Sequence, residues 1–204
     1  MEKKKQLKIL SKAAVISLLV TVVFVTWFGA LKVPYEDDPT SFYPPFVRTA
    51  SVIAMHYKAL YLLWVGLVIV SLLLNIRYMY LKYNFKSKLG TASLYFSFFC
   101  LLMTVIVPHA EGGIEKLIHW TGALAFGVFC AASIIIFLFL KGRENKKFIY
   151  TMLFFIGVLA LMLILLALFQ ENGAIETLPI WATFLILFLI NNTRLYEKNK
   201  SKKQ

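Results

Sequence analysis

The chain has 204 residues, of which 60% are hydrophobic and only 16% are charged. A soluble domain carries about 25% charged residues, so this composition excludes an ordinary water-soluble domain and indicates a membrane protein. The formal net charge of +12 would suit nucleic acid, but no helix-turn-helix, zinc-finger or RNA-binding aromatic motif accompanies it. We therefore predict no nucleic-acid partner.

Six apolar runs, taken in chain order, are each long enough to cross a bilayer, which requires about 20 helical residues. We predict an all-α integral membrane bundle that forms one domain over residues 1–204, with six transmembrane helices over residues 13–31, 57–78, 90–107, 116–140, 148–169 and 175–193. No Asp, Glu, Lys or Arg lies deep inside these runs, where a charge costs about 2.5–3.5 kcal/mol. This absence speaks against a proton pump or an ion-coupled transporter.

The first run follows several lysines, as in a signal peptide, but it is too long and has no small-x-small cleavage site after it, so we predict an uncleaved helix. The basic residues indicate the orientation. All but Lys32, Arg48, Lys58 and Lys116 fall on the side that holds both termini. The positive-inside rule therefore predicts cytoplasmic N- and C-termini. Seven acids fall on the other, outer side: Glu36, Asp37, Asp38, Glu111, Glu115, Glu171 and Glu176.

Aromatic residues near the ends of the runs support these boundaries, because tryptophan and tyrosine gather at membrane interfaces. The predicted outer belt contains Trp27, Trp64, Trp120 and Trp181, and the predicted inner belt contains Tyr78, Tyr80, Tyr83, Tyr150 and Tyr196. Each belt lies at the expected depth for the headgroup region.

Small and polar side chains form a stripe on two neighbouring predicted helices. The third helix carries Ser93, Ser97, Cys100 and Thr104 on one face, and the fourth carries His119, Gly122, Ala123, Phe126, Cys130 and Ser133. A short outer turn joins the two helices, so the stripes either pack together or line a polar cavity for a lipid or small ligand. The candidate ligand-binding residues are Ser97, Thr104, Gly122, Glu111 and Glu176. We interpret both cysteines as buried core residues.

The longest connection, residues 32–56, lies on the predicted outer side and contains PYEDDPTSFYPPF. Pro44 and Pro45 favour extended backbone before them and the start of a helix after them, so we predict a short surface helix within residues 46–56. A connection of this length is a functional element, a cap on the bundle or a disordered segment.

All three histidines, His56, His109 and His119, also lie on the outer side. Glu115 and His119 are four residues apart at the start of the fourth helix, a spacing that allows them to pair. Such residues could form an acid/base pair or bind zinc, so His119, Glu115, His109 and His56 are the catalytic candidates. Neither HExxH nor GxSxG is present, and an ordinary polar rim is the alternative, so we predict no metal and no other cofactor.

The stretch LIHWTGALAFG at residues 117–127 resembles the His-x-x-Gly-Ala-x-x-Phe helix of the DRAM/Frag/Sfk-like superfamily of six-helix membrane proteins, which has a bacterial branch of unknown function. The proline-bearing first outer loop, the outer Pro108 and the Gly-x-x-Glu at residues 173–176 are similar as well. The resemblance implies a lipid-associated or regulatory multi-pass protein of the bacterial cytoplasmic membrane. The residues of this chain that match the motif are taken only as a structural signature and not as catalytic residues: His119, Gly122, Ala123 and Phe126.

A second resemblance links IEKLIHW at residues 114–120 to the Asp-Lys-x-x-His-Phe helix of VanZ-like proteins. The later Arg, Asp and Asn motif of those proteins is missing, and their bundles usually have fewer helices. This resemblance is therefore the weaker of the two.

Three functions are compatible with the sequence. We favour a non-enzymatic protein that binds membrane lipids, or another membrane protein, through its outer face, because no complete catalytic set is present. One alternative is an outer-leaflet enzyme that acts on lipid or envelope substrates through His119 and Glu115. The other is a small-solute transporter lined by the two polar stripes, although no inverted repeat is visible.

Overall fold

The computed structural model describes residues 2–35, 40–107, 113–169 and 172–196, and these residues form seven α-helices. The helices are α1 (Glu2–Gly29), α2 (Ala50–His56), α3 (Lys58–Lys82), α4 (Lys88–Ile106), α5 (Gly113–Gly142), α6 (Lys146–Phe169) and α7 (Gly173–Asn192). Within these described ranges, six helices are long and apolar enough to cross a membrane, which confirms the predicted all-α architecture with six long apolar helices. The remaining helix, α2, is the predicted short helix after the proline pair.

Several helices extend beyond the predicted apolar runs. Helix α1 begins at Glu2 rather than at residue 13, because its lysine-rich first turns continue the helix outside the apolar stretch. The thickness of a bilayer limits the apolar length of a helix and not its total length, and lysine is a good helix former. Helix α7 continues through Pro179, so the proline does not break the span.

Two hydrogen bonds show that α1 and α3 are antiparallel. The Thr21 hydroxyl donates to the Leu67 carbonyl at 3.2 Å, and the Asn75 amide donates to the Ala14 carbonyl at 2.9 Å, so α1 and α3 run in opposite directions. We call the end where α1 begins and α7 ends the basic end. The opposite end, where α2 lies, is the cap end.

The bundle has a central helix and a peripheral one. Helix α3 is central, since it packs against α1, α2, α4 and α7. Helix α6 packs against α5 and α7, and its fully buried side chains are Phe148 and Phe155. It is also the most apolar of the six long helices, with a mean hydropathy of 3.1 over its best window. Its outward face therefore has the composition expected of a surface in contact with lipid tails.

Three residues of the predicted aromatic belts do not face outward. Trp64 is only 6% exposed and stacks on Tyr61, with 5.8 Å between the ring centroids, and both Tyr80 and Tyr196 are buried. Trp27 and Trp120 remain 48% and 42% exposed, as a belt requires. The belts were predicted from position along each helix, which gives the depth of a side chain but not the direction in which it points.

Candidate functional site at the cap end

The described part of the long connection forms a structured cap over one end of the bundle. The Tyr43 amide donates to the Val33 carbonyl at 2.9 Å, and the Phe46 amide donates to the Gly29 carbonyl at 2.9 Å. The Ala174 amide in turn donates to the Phe46 carbonyl at 3.0 Å. The described part of the cap is thus fixed to the end of α1 and to the start of α7, an arrangement that suits the capping interpretation.

Phe46 is the centre of this attachment and has an unusual backbone. Its φ of 62° is uncommon for a bulky residue, and its ring packs edge-on against Trp181, with 5.6 Å between the centroids. A Cβ on Gly29 would lie 2.6 Å from the Phe46 ring, and a Cβ on Gly173 would clash with the Arg48 carbonyl oxygen. Position 173 therefore requires glycine, because the backbone approaches too closely for a side chain, whereas a side chain at Gly29 would have to displace the Phe46 ring.

Glu176, predicted as a ligand-binding residue, holds α2 against α7. Its Oε2 accepts a hydrogen bond at 2.9 Å from the Ala50 amide, the first of the helix. The Thr49 hydroxyl accepts a second bond, at 3.4 Å, from Val52. A carboxylate at a helix N-terminus is stabilising, because it meets unpaired amides and the positive end of the helix dipole.

The cap also exposes aromatic and aliphatic side chains. Tyr35, Phe42, Val47 and Met55, which we call the cap surface, are 38%, 46%, 43% and 58% exposed. Cations lie beside it: the Lys32 ammonium is 5.5 Å from the centroid of the Phe42 ring, and the Arg48 guanidinium lies 3.7 Å over the ring of Tyr43. The surface therefore combines apolar area with positive charge.

His119 occupies a structural position at the contact between α4 and α5. It is 7% exposed, and its Nδ1 lies 3.0 Å from the carbonyl oxygen of Val107, which follows α4. Glu115 is exposed at the start of α5. The Nδ1 contact follows from the close antiparallel packing of α4 and α5, and the pairing of Glu115 with His119 stays a prediction.

Of the other two histidine candidates, the structure describes only His56. His56 is exposed at the end of α2, with its ring 6.4 Å from that of Tyr57. His109 and Glu111 lie outside the described residues. Across residues 2–35, 40–107, 113–169 and 172–196, no group of three or more His, Cys, Asp or Glu side chains could hold a metal ion.

The polar stripes of α4 and α5 meet in a close helix contact. A Cβ on Gly122 would lie 3.1 Å from the Cys100 carbonyl oxygen and 3.2 Å from Thr104 Cγ2. The Ser97 hydroxyl is fully buried and donates to the Leu94 carbonyl at 2.7 Å. Thr104 donates to Leu101 at 2.7 Å and lies 3.2 Å from the Tyr61 hydroxyl of α3. These three ligand candidates thus pack the helices together in this structure, whereas Ala123 is exposed.

Sequence reasoning missed a buried amide pair towards the basic end. The Asn191 amide donates to the backbone carbonyl of Asn75 at 3.1 Å, and Asn75 itself donates to Ala14 and Ser71 at 2.9 Å each. The pair joins α1, α3 and α7. A signal was available, since Asn75 and Asn191 are side-chain amides inside predicted spans, where polar groups tend to find partners.

Sequence reasoning also missed an apolar groove between α1, α6 and α7. Its volume is about 520 Å³. Leu18, Leu19 and Val22 form one wall, Phe154 and Val158 form the other, and α7 lines the floor from Leu178 to Phe188. Every lining side chain is apolar except for the indole nitrogen of Trp181. No sequence pattern marks such a groove, because all three helices are apolar on every face.

No model of a protein family, no curated protein and no solved structure matches the chain. The resemblance to the DRAM/Frag/Sfk-like superfamily therefore stays a prediction.

Proposed function

We propose that the chain is a non-enzymatic, multi-pass membrane protein of a bacterial cytoplasmic membrane, with both termini in the cytoplasm, and that it binds lipid through the outer face formed by the cap. The observation that carries the proposal is the cap surface. Its exposed rings and aliphatic groups are held on a backbone that is tied to α1 and α7.

The composition of the cap surface suits a lipid headgroup region. Aromatic side chains with one apolar and one polar part favour the membrane interface, and long cationic side chains reach from there to phosphates. Lys32 and Arg48 lie on the rings of Phe42 and Tyr43. They would meet the phosphate while the neighbouring apolar groups cover the first part of the acyl chain.

The contacts of α4 and α5 support a packing role for these two helices. His119 Nδ1 lies 3.0 Å from Val107 O, and this contact joins α5 to the end of α4. The buried stripes of α4 and α5 likewise support helix packing over a solute path.

The proposal is tested by the lipid that copurifies with the full chain. The variant F42S/V47S/M55S should retain about tenfold less outer-leaflet lipid, because the loss of two buried methylene groups already costs about 1.6 kcal/mol. The matched control is I114S, since Ile114 lies at the same end, outside the cap, and is 72% exposed. Native mass spectrometry measures the bound lipid, and equal retention by the triple variant and the control would refute lipid binding at the cap.

A further inference from the structure

The groove between α1, α6 and α7 has the size and shape of a site for one acyl chain. Its floor runs from Leu178 to Phe188. These residues are ten positions apart, which corresponds to about 15 Å along a helix. One leaflet contributes half of a hydrocarbon core that is about 30 Å thick, so the groove is as long as one leaflet is deep.

The walls of the groove continue towards the basic end as faces that carry lysine. On α1, Lys12 and Lys8 precede Leu19 by 7 and 11 residues, which are close to two and three helical turns, so all three lie on one face. Both lysines are exposed. Lys12 lies about 10 Å along the axis from Leu19, a distance that suits the step from acyl chain to headgroup.

Helix α6 repeats this arrangement on the opposite wall. Lys147 precedes Phe154 by 7 residues and Val158 by 11, so it shares their face. Its ammonium donates to the Leu195 carbonyl at 2.9 Å, which keeps this charge at the basic end of the groove. Both walls therefore begin with cations and become wholly apolar over the length of the groove.

We propose that this groove binds one anionic glycerophospholipid from the leaflet at the basic end, with an acyl chain along α7 and the phosphate towards Lys8 and Lys12. The site is separate from the cap surface and does not depend on the function proposed for it. Positive charge favours an anionic over a zwitterionic headgroup, and the apolar walls favour a chain over a polar ligand.

The charge arm of the test compares K8Q/K12Q with K86Q/K88Q in vesicles that contain equal amounts of phosphatidylglycerol and phosphatidylcholine. Lys86 and Lys88 are exposed at the same end but lie beside α4, away from the groove. Native mass spectrometry should show one retained phosphatidylglycerol. In K8Q/K12Q, the selectivity for phosphatidylglycerol over phosphatidylcholine should fall about fivefold for each lysine replaced. The control variant should keep the full selectivity. Unchanged selectivity in K8Q/K12Q would overturn the proposal.

The steric arm compares V158W, which fills the groove, with L153W on another face of α6, where Leu153 is 57% exposed. V158W should lose the retained phosphatidylglycerol, and L153W should keep it, with equal helix content by circular dichroism. Retention by V158W, a retained fatty acid without a headgroup, or a second copy of the chain bound in place of lipid would each overturn the proposal. The F42S/V47S/M55S variant should keep the groove lipid, so failure at the cap is distinguishable from failure here.

Discussion

The α4–α5 contact and the α1–α6–α7 groove are both formed by apolar helices, but the helices pack closely in the first region and leave a gap in the second. Gly122 brings α5 so close to α4 that a Cβ there would lie 3.1 Å from a backbone oxygen. Around Leu185 and Val158, by contrast, apolar side chains leave about 520 Å³ unfilled. Lipid tails are as apolar as leucine, so apolar faces alone do not draw helices together, and small or polar residues decide where contact occurs.

The largest expected effect is at the close contact. G122V should lower the free energy of unfolding by about 1–3 kcal/mol, because the new side chain overlaps the Cys100 carbonyl and Thr104. The control is G127V on the same helix, where a Cβ would meet no atom within 4 Å and the cost should stay within about 0.5 kcal/mol. Unfolding in detergent titrations measures both. Equal destabilisation of G122V and G127V would contradict close approach at Gly122 as the cause, because valine is a better helix former than glycine at both positions.

The amide pair should give the next largest effect. A double-mutant cycle of N75A and N191A should show a coupling of about 0.6–1.7 kcal/mol, the range for polar contacts between membrane helices. The Asn191 side-chain amide donates to Asn75 Oδ1 at 3.3 Å, a contact that N75A removes, and both side chains are at least 96% buried, since their exposed fractions are 0% and 4%. Additive single effects would mean that the pair does not hold α3 and α7 together.

The smallest effect is expected in the groove. A182L should change the stability by less than about 0.5 kcal/mol, because the longer side chain can extend into the groove. Ala131 is the matched control, since both alanines are 7% exposed and belong to the buried core, but only Ala182 lines the groove. A131L should cost about 1–3 kcal/mol by overpacking. Thermal unfolding of both variants checks the difference, and a similar loss in A182L would show that the groove is closed.

The sequence predicted which residues lie near the candidate site but not which partners their side chains contact. The positions of Glu115, His119 and Glu176 at one end of the bundle followed from the span boundaries. The partner of each one did not: Glu176 accepts from Ala50, 126 residues away along the chain, and His119 lies against a backbone oxygen of α4. Side-chain partners across helices depend on rotation and on close approach, which local spacing does not specify.

The sequence by itself determined the spans, the charge difference between the two ends and the short helix after Pro44 and Pro45, because apolar length, charge and proline geometry are local properties. The tertiary structure decided which faces meet. It placed Trp64, Tyr80 and Tyr196 inside, paired Asn75 with Asn191 and left a groove beside α7. The physical reason is that a helix that is apolar on every face carries no pattern that separates contact with protein from contact with lipid.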